Sequence, residues 1–170
     1  MAKPGLFIGR FQPLHKGHVH ALEDAFAEER TLFIVIGSAQ ACFTPTNPFT
    51  TAERIQMLRA TLNAIKIPCE QYLIIPIPDI HNFRRWVDHV VQFVPPFGTF
   101  YTGSESMQHL FSEKKYPVKM VELYKPGILS GTEIRRRIVK GEDWKTLVPP
   151  VVEELIQKFD GVKRIQSLSY

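Results

Sequence analysis

The feature that most constrains the fold is an alternation of short apolar runs with longer segments of helical period. Buried strands are predicted in "PGLFIG", "TLFIVIG" and "YLIIPI", which are short, apolar and rich in β-branched residues. Helices are predicted in "GHVHALEDAFAEER" and "TTAERIQMLRATLNAI", where apolar residues recur at intervals of three and four. Strands that alternate with helices pair in parallel and carry the helices on the faces of the sheet. We therefore expect an α/β fold with a Rossmann-like, doubly wound parallel sheet.

The middle of the chain continues this alternation. Thr50 and Glu53 have the spacing of a capping box and predict the start of the second helix. A third helix is expected over about Asn82 to Phe93, followed by a strand in "TFYTG", a fourth helix in "SESMQHLFSEK" and a last strand in "PVKMVEL".

The last part of the chain predicts helices without strands. "SGTEIRRRIVKG" opens with a second capping-box pattern, Ser130 with Glu133, and closes on Gly141. The final helix is expected in "PPVVEELIQKF", with Asp160 and Gly161 as its stop. We expect a single domain over residues 1–170, with an α/β core over about 1–125 and a small helical C-terminal appendage over 126–170.

Composition narrows the class of protein and its surroundings. Apolar residues make up 44% and charged residues 22% of the chain, which is ordinary for a soluble globular protein. The two cysteines, Cys42 and Cys69, are too few for a disulfide framework, so we expect a cytoplasmic protein with both thiols buried. A net charge of +4 suits an anionic small molecule as well as a nucleic acid. No membrane partner is expected, because the apolar runs are strand-sized.

The loop "GRFQPLHKGH" places His15 and His18 where the first strand should end and a helix should begin. A zinc site needs three or four ligands, and the other histidines are scattered, so we predict no metal site in the protein. A helix N-terminus beside Arg10 favours anions instead, and Gly17 lets a phosphate approach the backbone. The alternative is that both histidines are satisfied by backbone groups.

The segment "SGTEIRRRI" is the second candidate for phosphate binding. Thr132 and Arg135 are three residues apart and share one helix face, close to Ser130 at the helix N-terminus. Arg136 and Arg137 point elsewhere and are expected to be solvated or to contact a neighbouring subunit. The alternative is a merely basic exposed helix. Neither GxGxxG nor GxxxxGK[ST] occurs in the chain.

Together the two segments resemble the HxGH and SxTxxR motifs of the nucleotidyltransferase superfamily. The intervening segments resemble, in order, those of archaeal-type nicotinamide-nucleotide adenylyltransferases, from about Gly5 to Ile165. These segments are "IGSAQ", "NPFTTAERI", "IPDI", "PPFGTFYTG" and "GEDWKTLVP". The resemblance implies adenylyl transfer from ATP to nicotinamide mononucleotide (NMN), giving NAD and pyrophosphate without a covalent enzyme intermediate. It also implies a homo-oligomer, expected to be a hexamer.

The resemblance further implies a set of site residues. His15 and His18 would hold ATP phosphates, with His18 at the α-phosphate, and Arg135 would complete the catalytic group. Further ATP contacts are expected from Gly9, Arg10, Phe11, Gly17, Gly103, Ser104, Ser130 and Thr132. NMN or NAD contacts are expected from Ser38, Ala39, Gln40, Asp79, Ile80, Asn82 and Trp86. Mg²⁺ would be bound mainly through the ATP phosphates.

Trp86 is the candidate for the nicotinamide, because an aromatic face stacks well on a cationic pyridinium ring. Its alternative role is a core anchor beside Val87 and Val90.

One position departs from the family pattern. Thr46 stands where these enzymes are expected to have Arg or Lys, in a loop over residues 41–47 that should be flexible. Loss of one cation from a triphosphate site would weaken binding by about 1 to 3 kcal/mol. Either activity is slower, or another basic residue such as Arg54 compensates.

Other functions remain open at this point. The same fold could use another acceptor, such as phosphopantetheine or flavin mononucleotide, or transfer a cytidylyl group to an alcohol phosphate. A non-catalytic NAD or ATP sensor is a second alternative. A nucleic-acid binder is disfavoured because no RRM, KH or helix-turn-helix signature is present. An aminoacyl-tRNA synthetase is disfavoured because the chain has no room for a tRNA-binding body.

Overall fold

The computed structural model describes residues 3–122, 124–125 and 127–169. It contains a five-stranded, all-parallel sheet in the order β3-β2-β1-β4-β5. The strands are β1 (Gly5–Gly9), β2 (Leu32–Ile36), β3 (Tyr72–Pro76), β4 (Phe100–Thr102) and β5 (Val118–Met120). The predicted doubly wound parallel sheet is confirmed. The order reverses at β1, so a crevice lies between the carboxyl ends of β1 and β4, where ligands bind in sheets of this type.

Helices cover both faces of the sheet. They are α1 (Lys16–Glu28), α2 (Thr51–Ala64), α3 (Trp86–Phe93), α4 (Glu105–Glu113), α5 (Gly131–Lys140), α6 (Pro150–Lys158) and α7 (Gly161–Ser167). Short 3₁₀ turns occupy Cys69–Gln71, Phe83–Arg85 and Lys145–Leu147. No helix in the described ranges is long and apolar enough to cross a membrane.

The strands bury both of their faces because successive side chains point in opposite directions. In β1, Phe7 joins one hydrophobic cluster, whereas Leu6 joins a second cluster on the other face. The first cluster also includes residues of α1, α2, α5, α6 and α7, and the second includes residues of α3 and α4. The C-terminal helices therefore share a core with α1 and α2.

The two capping boxes have different outcomes. Thr50 and Glu53 form the predicted box, since each side chain accepts a hydrogen bond from the other residue's backbone N–H (3.2 and 2.8 Å). Ser130 accepts from the N–H of Glu133 (3.1 Å), but the Glu133 carboxylate turns instead to Arg136 and Arg137. As predicted, α5 ends on Gly141, which has a left-handed φ of 69°.

Three predictions about the elements are wrong. The helix expected from Asn82 begins at Trp86, because the Asn82 side chain caps a 3₁₀ turn by accepting from the N–H of Arg85 (3.2 Å). The stop expected at Asp160 is present, since α6 ends at Lys158, but α6 is not the final helix. Asp160 makes a turn with φ of 53°, after which the buried Gly161 starts α7. Cys42 is half-buried and Cys69 is exposed, because they lie in a loop and a 3₁₀ turn outside the core.

Candidate active site

Two cavities adjoin one another at the carboxyl ends of the strands. The first, of about 520 Å³, includes Trp86 in its wall and is called here the tryptophan cavity. The second, of about 400 Å³, includes His15, His18 and Arg135 and is called the histidine cavity. Both walls share four residues, Ile8, Arg10, Thr102 and Ser104. These shared residues come from the ends of β1 and β4 and the positions just after them, at the crevice where the strand order reverses.

His15 and His18 form a stacked pair at the start of α1. Their ring centroids are 3.7 Å apart, and the N–H of His15 donates to Nδ1 of His18 (3.3 Å). Because Nδ1 accepts this bond, neutral His18 carries its proton on Nε2, which can donate to a ligand. Gly17 is needed by the pair, since a Cβ there would lie 3.0 Å from Nδ1 of His15. This contact is separate from the predicted use of Gly17, which was to let a phosphate approach the backbone.

Burial keeps the imidazole pair neutral. It lowers the pKa of His15 from 6.5 to about 4. The pKa of His18 is held well below 6.5, first by burial and then by its neighbour His15. Nδ1 of His15 is buried without a hydrogen-bond partner among the described residues. A buried polar atom without a partner is unfavourable, so this nitrogen can gain from a ligand atom.

Helix α5 brings Arg135 to the histidine cavity. The residue is 8% exposed, and its guanidinium donates to the carbonyl of Gln12 (2.6 Å) and to Oγ1 of Thr132 (3.3 Å). Gly131 lets the helix approach, since a Cβ there would lie 2.8 Å from the Gln12 carbonyl oxygen. Ser130 also lines this wall, so the N-terminus of α5 borders the cavity.

Arg136 and Arg137 lie outside both walls. Arg136 forms ion pairs with Glu133 and Glu142, and Arg137 pairs with Glu133. The prediction that α5 divides its arginines between two faces is confirmed. Within the described residues, Arg136 and Arg137 pair with acidic side chains of their own chain, so they are not merely solvated.

Trp86 lies between the hydrophobic core and the tryptophan cavity, a position compatible with either role considered for it. The indole is half-buried against the second hydrophobic cluster and also lines the tryptophan cavity. The same wall includes Ser38, Asp79 and Asn82. Ser38 has a left-handed φ of 48° and donates through Oγ to Oδ2 of Asp79 (3.4 Å).

Three residues predicted for NMN line neither cavity. The backbone of Ala39 binds Ile77, and the side-chain oxygen of Gln40 accepts from the N–H of Asp79 (2.8 Å). Ile80 lies in a separate pocket beside α3. The hydrogen bonds of Ala39 and Gln40 therefore link the loop after β2 to the loop after β3, behind the cavity wall.

The remaining predicted positions divide between the cavities. Gly9 lines the tryptophan cavity, Ser104 and Arg10 line both, and Phe11, Gly17, Gly103 and Thr132 line the histidine cavity.

Thr46 and Arg54 both lie outside the two cavity walls, and only Arg54 departs from its expected role. Thr46 is exposed, lines neither cavity and accepts through Oγ1 from Nδ2 of Asn47 (3.1 Å). Arg54 is fully buried, and its N–H groups are committed to backbone carbonyls and a hydroxyl. The prediction that Arg54 replaces the missing cation by contacting phosphates is therefore wrong.

Some wall residues were missed by the sequence analysis. Gln12 follows Phe11 and uses its side-chain amide to hold both the N–H and the carbonyl of Phe49 (2.9 and 2.8 Å). Thr102 is the last residue of β4. Because ligands bind at the carboxyl ends of parallel strands, this position could have indicated a wall residue. Phe83 lines the tryptophan cavity and is 56% exposed, and its closeness to Trp86 in the sequence was the available signal.

The donor set of the cavities does not suit a metal ion held by protein ligands alone. In the part of the chain that the structure describes, no three His, Cys, Asp or Glu side chains converge. The histidine cavity offers imidazole, guanidinium and hydroxyl groups, which suit phosphate oxygens.

Comparison with known proteins agrees with this chemistry. Residues 6–137 match the family model described as cytidylyltransferase-like. A protein of Thermococcus kodakarensis named nicotinamide-nucleotide adenylyltransferase is 47% identical over 169 residues, covering 99% of this chain and 90% of its own. A protein of the same name from Pyrococcus furiosus is 46% identical, covering 98% and 89%.

A solved structure extends the likeness to three dimensions. It is a bifunctional NMN adenylyltransferase/ADP ribose pyrophosphatase from Francisella tularensis, complexed with AMP and a manganese ion. The TM-score is 0.79 at 28% identity, and the match covers 99% of this chain. This chain spans about half of the Francisella chain, 52% of its length.

Proposed function

This chain belongs to the cytidylyltransferase-like family, and we propose that it transfers the adenylyl group of ATP to NMN, forming NAD and pyrophosphate. The observation that carries the proposal is the pair of adjoining cavities that meet at Arg10. One offers phosphate-binding groups and the other an aromatic face, so two nucleotides can meet at the shared wall. The names and near-complete coverage of the relatives support NMN as the acceptor.

ATP is proposed to occupy the histidine cavity with its phosphates on the N-termini of α1 and α5. Nε2–H of His18 is free to donate to an oxygen of the α-phosphate, since Nδ1 is already occupied. His15 would bind a second phosphate oxygen. Arg135, Ser130 and Thr132 would add charge-assisted and hydroxyl hydrogen bonds to the β- and γ-phosphates.

NMN is proposed to occupy the tryptophan cavity. The indole of Trp86 would stack on the cationic pyridinium ring, and Asn82 and Ser38 would supply hydrogen bonds. Arg10, which lines both cavities, would hold the NMN phosphate beside the α-phosphate of ATP.

The transfer needs little proton chemistry from the protein. An oxygen of the NMN phosphate attacks the α-phosphorus, a new P–O bond forms, and the bond to the β-phosphate oxygen breaks to release pyrophosphate. The nucleophile is already ionised at neutral pH, so catalysis consists of positioning and of stabilising charge at the phosphorus. Neutral imidazoles fit this role because they donate hydrogen bonds without needing to be acids.

Mg²⁺ is proposed to enter with ATP as part of the substrate, held by phosphate oxygens and water. It would neutralise phosphate charge. The cavity walls would bind the remaining phosphate oxygens themselves.

The test is product formation from ATP, Mg²⁺ and NMN, with NAD and pyrophosphate both measured. Parallel reactions contain nicotinate mononucleotide, flavin mononucleotide or phosphopantetheine. Equal amounts of NAD and pyrophosphate are expected with NMN. Binding of NAD by calorimetry without turnover would instead identify a sensor, and product with another acceptor alone would reassign the substrate.

The assembly and location follow from the same family membership as proposals. We propose one domain over residues 1–170 and a cytoplasmic homo-oligomer, a hexamer, that binds small-molecule nucleotides rather than nucleic acid. Light scattering coupled to gel filtration tests the hexamer, and a monomeric mass would reject it.

A further inference from the structure

Arg54 is a buried cation without an acidic partner. It lies in the first turns of α2, is 0% exposed, and has no Asp or Glu oxygen within ion-pair distance among the described residues. Buried charges are normally paired with opposite charges, because removal from water is unfavourable. Although burial lowers its pKa to about 10, the guanidinium remains charged at neutral pH. Some other feature of the fold must therefore stabilise it.

Backbone carbonyls take the place of the missing carboxylate. Nη1 donates to the carbonyls of Arg10 (3.0 Å) and Gly37 (2.9 Å), and Nη2 donates to the carbonyl of Ser38 (3.2 Å) and to Oγ1 of Thr51 (3.0 Å). The carbonyl of Arg10 lies just past β1, and those of Gly37 and Ser38 lie just past β2. One guanidinium thus joins the carboxyl ends of two neighbouring strands.

The contacts at Gly37 and Ser38 shape the backbone. Consecutive carbonyls of an extended strand point to opposite sides, so a single planar guanidinium cannot bind both. The two donor nitrogens of the Arg54 guanidinium, Nη1 and Nη2, are called here the fork. Here the fork binds the carbonyls on each side of Ser38, which requires a tight turn at that residue. Ser38 has a φ of 48°, a conformation that is unfavourable for a residue with a Cβ by about 1 to 2 kcal/mol. The Arg54 fork holds the turn against this strain.

The two loops held by Arg54 both line the candidate active site. Ser38 lines the tryptophan cavity and reaches Asp79 through its hydroxyl, whereas Arg10 lines both cavities. Arg54 itself lines neither cavity. Its effect on a bound nucleotide must therefore pass through these loops.

We infer that Arg54 is a positioning residue for adenylyl transfer, which fixes Ser38 and Arg10 at the place where NMN meets ATP. The inference rests on the proposed function for the identity of the substrates. It predicts that Arg54 matters more to NMN than to ATP, because the stacked histidines and Arg135 are held by contacts with other residues.

Two substitutions separate the charge from the fork. Arg54→Lys keeps a buried cation but replaces the two donor positions of Nη1 and Nη2 with one ammonium on a shorter side chain. Arg54→Met keeps the stem and removes the charge. Arg59→Met on the same helix is the control, since Arg59 is exposed and has no role in the site. Each full-length variant is assayed for kcat, for KM with ATP and with NMN, and for thermal unfolding.

We expect Arg54→Lys to fold, to raise KM for NMN and to reduce kcat/KM for NMN by about tenfold, since small displacements of positioning groups slow turnover strongly. KM for ATP should change less, and Arg59→Met should match the wild type. A fall in the unfolding temperature with unchanged kcat and KM values would overturn the inference and leave Arg54 a purely structural residue.

The outcome remains interpretable if the proposed function itself fails. A wild-type protein that forms no NAD rejects the proposed function, and the Arg54 inference is then judged by calorimetric binding of ATP and of NMN. Equal NMN affinity in wild type and Arg54→Lys would contradict the inference, whereas a selective loss of NMN affinity would support it. If Arg54→Met does not fold, the Lys variant decides.

Discussion

The histidine cavity and the tryptophan cavity adjoin one another, yet the chain builds them in different ways. The histidine cavity takes its polar groups mainly from two short segments, residues 9–18 and 130–135, each at a helix N-terminus. The tryptophan cavity draws on loops after β1, β2, β3 and β4. Its shape depends on supports outside the wall, such as Arg54 and Gln40. Local motifs thus supply the phosphate-binding groups of the histidine cavity, whereas the topology of the sheet brings together the loops of the tryptophan cavity.

The largest effect is expected at His18, because this one side chain of the histidine cavity should account for much of the rate of adenylyl transfer. We expect His18→Ala to lower turnover by about a hundredfold or more, because removal of one donor to a developing oxyanion has an effect of that size. The fold should persist, since the ring is already partly open to the cavity. Steady-state kinetics and circular dichroism measure both quantities. His109→Ala, at an exposed position on α4, is the control. Near-normal turnover in His18→Ala would remove that residue from the mechanism.

The neutral state of the stacked histidines predicts a pH-dependent stability. The unfolded chain binds protons on these imidazoles below about pH 6.5, whereas in the folded chain the pKa of His15 is about 4. The free energy of unfolding should therefore fall by about 1 to 3 kcal/mol as pH drops from 6.5 towards 4.5. Urea unfolding at several pH values measures it.

The chosen pH window separates the histidines from the carboxylates. The pKa of Glu53 is lowered by its hydrogen bonds with Arg164 and Thr50, despite the opposing effect of burial, so its stabilising contribution is lost only below about pH 4.5. His15→Asn should weaken the dependence between pH 6.5 and 4.5 without abolishing it, because burial still lowers the pKa of His18. A wild-type protein of constant stability in this window would contradict the neutral, buried pair.

Trp86 tests whether the two cavities can be changed separately. We expect Trp86→Ala to raise KM for NMN by about tenfold, since stacking with a cation contributes about 1 to 2 kcal/mol. KM for ATP should stay close to the wild-type value, because the indole lines only the tryptophan cavity. Trp86→Phe should restore part of the affinity, and Phe93→Ala, an exposed aromatic of the same helix, is the control. Equal effects on both substrates would mean that the cavities are a single unit.

The sequence could predict features that depend on neighbouring residues. The alternation of strands and helices, the Thr50 box and the closeness of Thr132 to Arg135 all follow from periods and spacings within a few residues. Residues 9–18 and 130–135 were identifiable for the same reason.

Features that depend on distant contacts could not be predicted in this way. Arg54 looked like a free cation, but its guanidinium is drawn inward by carbonyls of residues 10, 37 and 38. Ala39 and Gln40 were predicted as NMN contacts because they come just after β2. They lie outside the wall of the tryptophan cavity, beyond the turn at Ser38. Helix α7 was missed because Gly161 looks like a helix stop until its tight packing against Phe49 is known.

Substitution of Thr46 has the smallest expected effect, and it tests whether the two local motifs supply all of the phosphate-binding residues. The residue is exposed on the loop before α2, outside both walls. A long cation there would have to reach the triphosphate through solvent, where a charged hydrogen bond is weakened by screening. We therefore expect Thr46→Arg to lower KM for ATP only a fewfold, about 0.5 to 1 kcal/mol, with kcat unchanged. Thr46→Gln, which adds length without charge, should leave KM unaltered, and the gain from Arg should shrink at high salt. A gain of about a hundredfold would mean that the loop closes over the phosphates when ATP binds, and that the histidine cavity, like its neighbour, is completed by a segment outside the motifs.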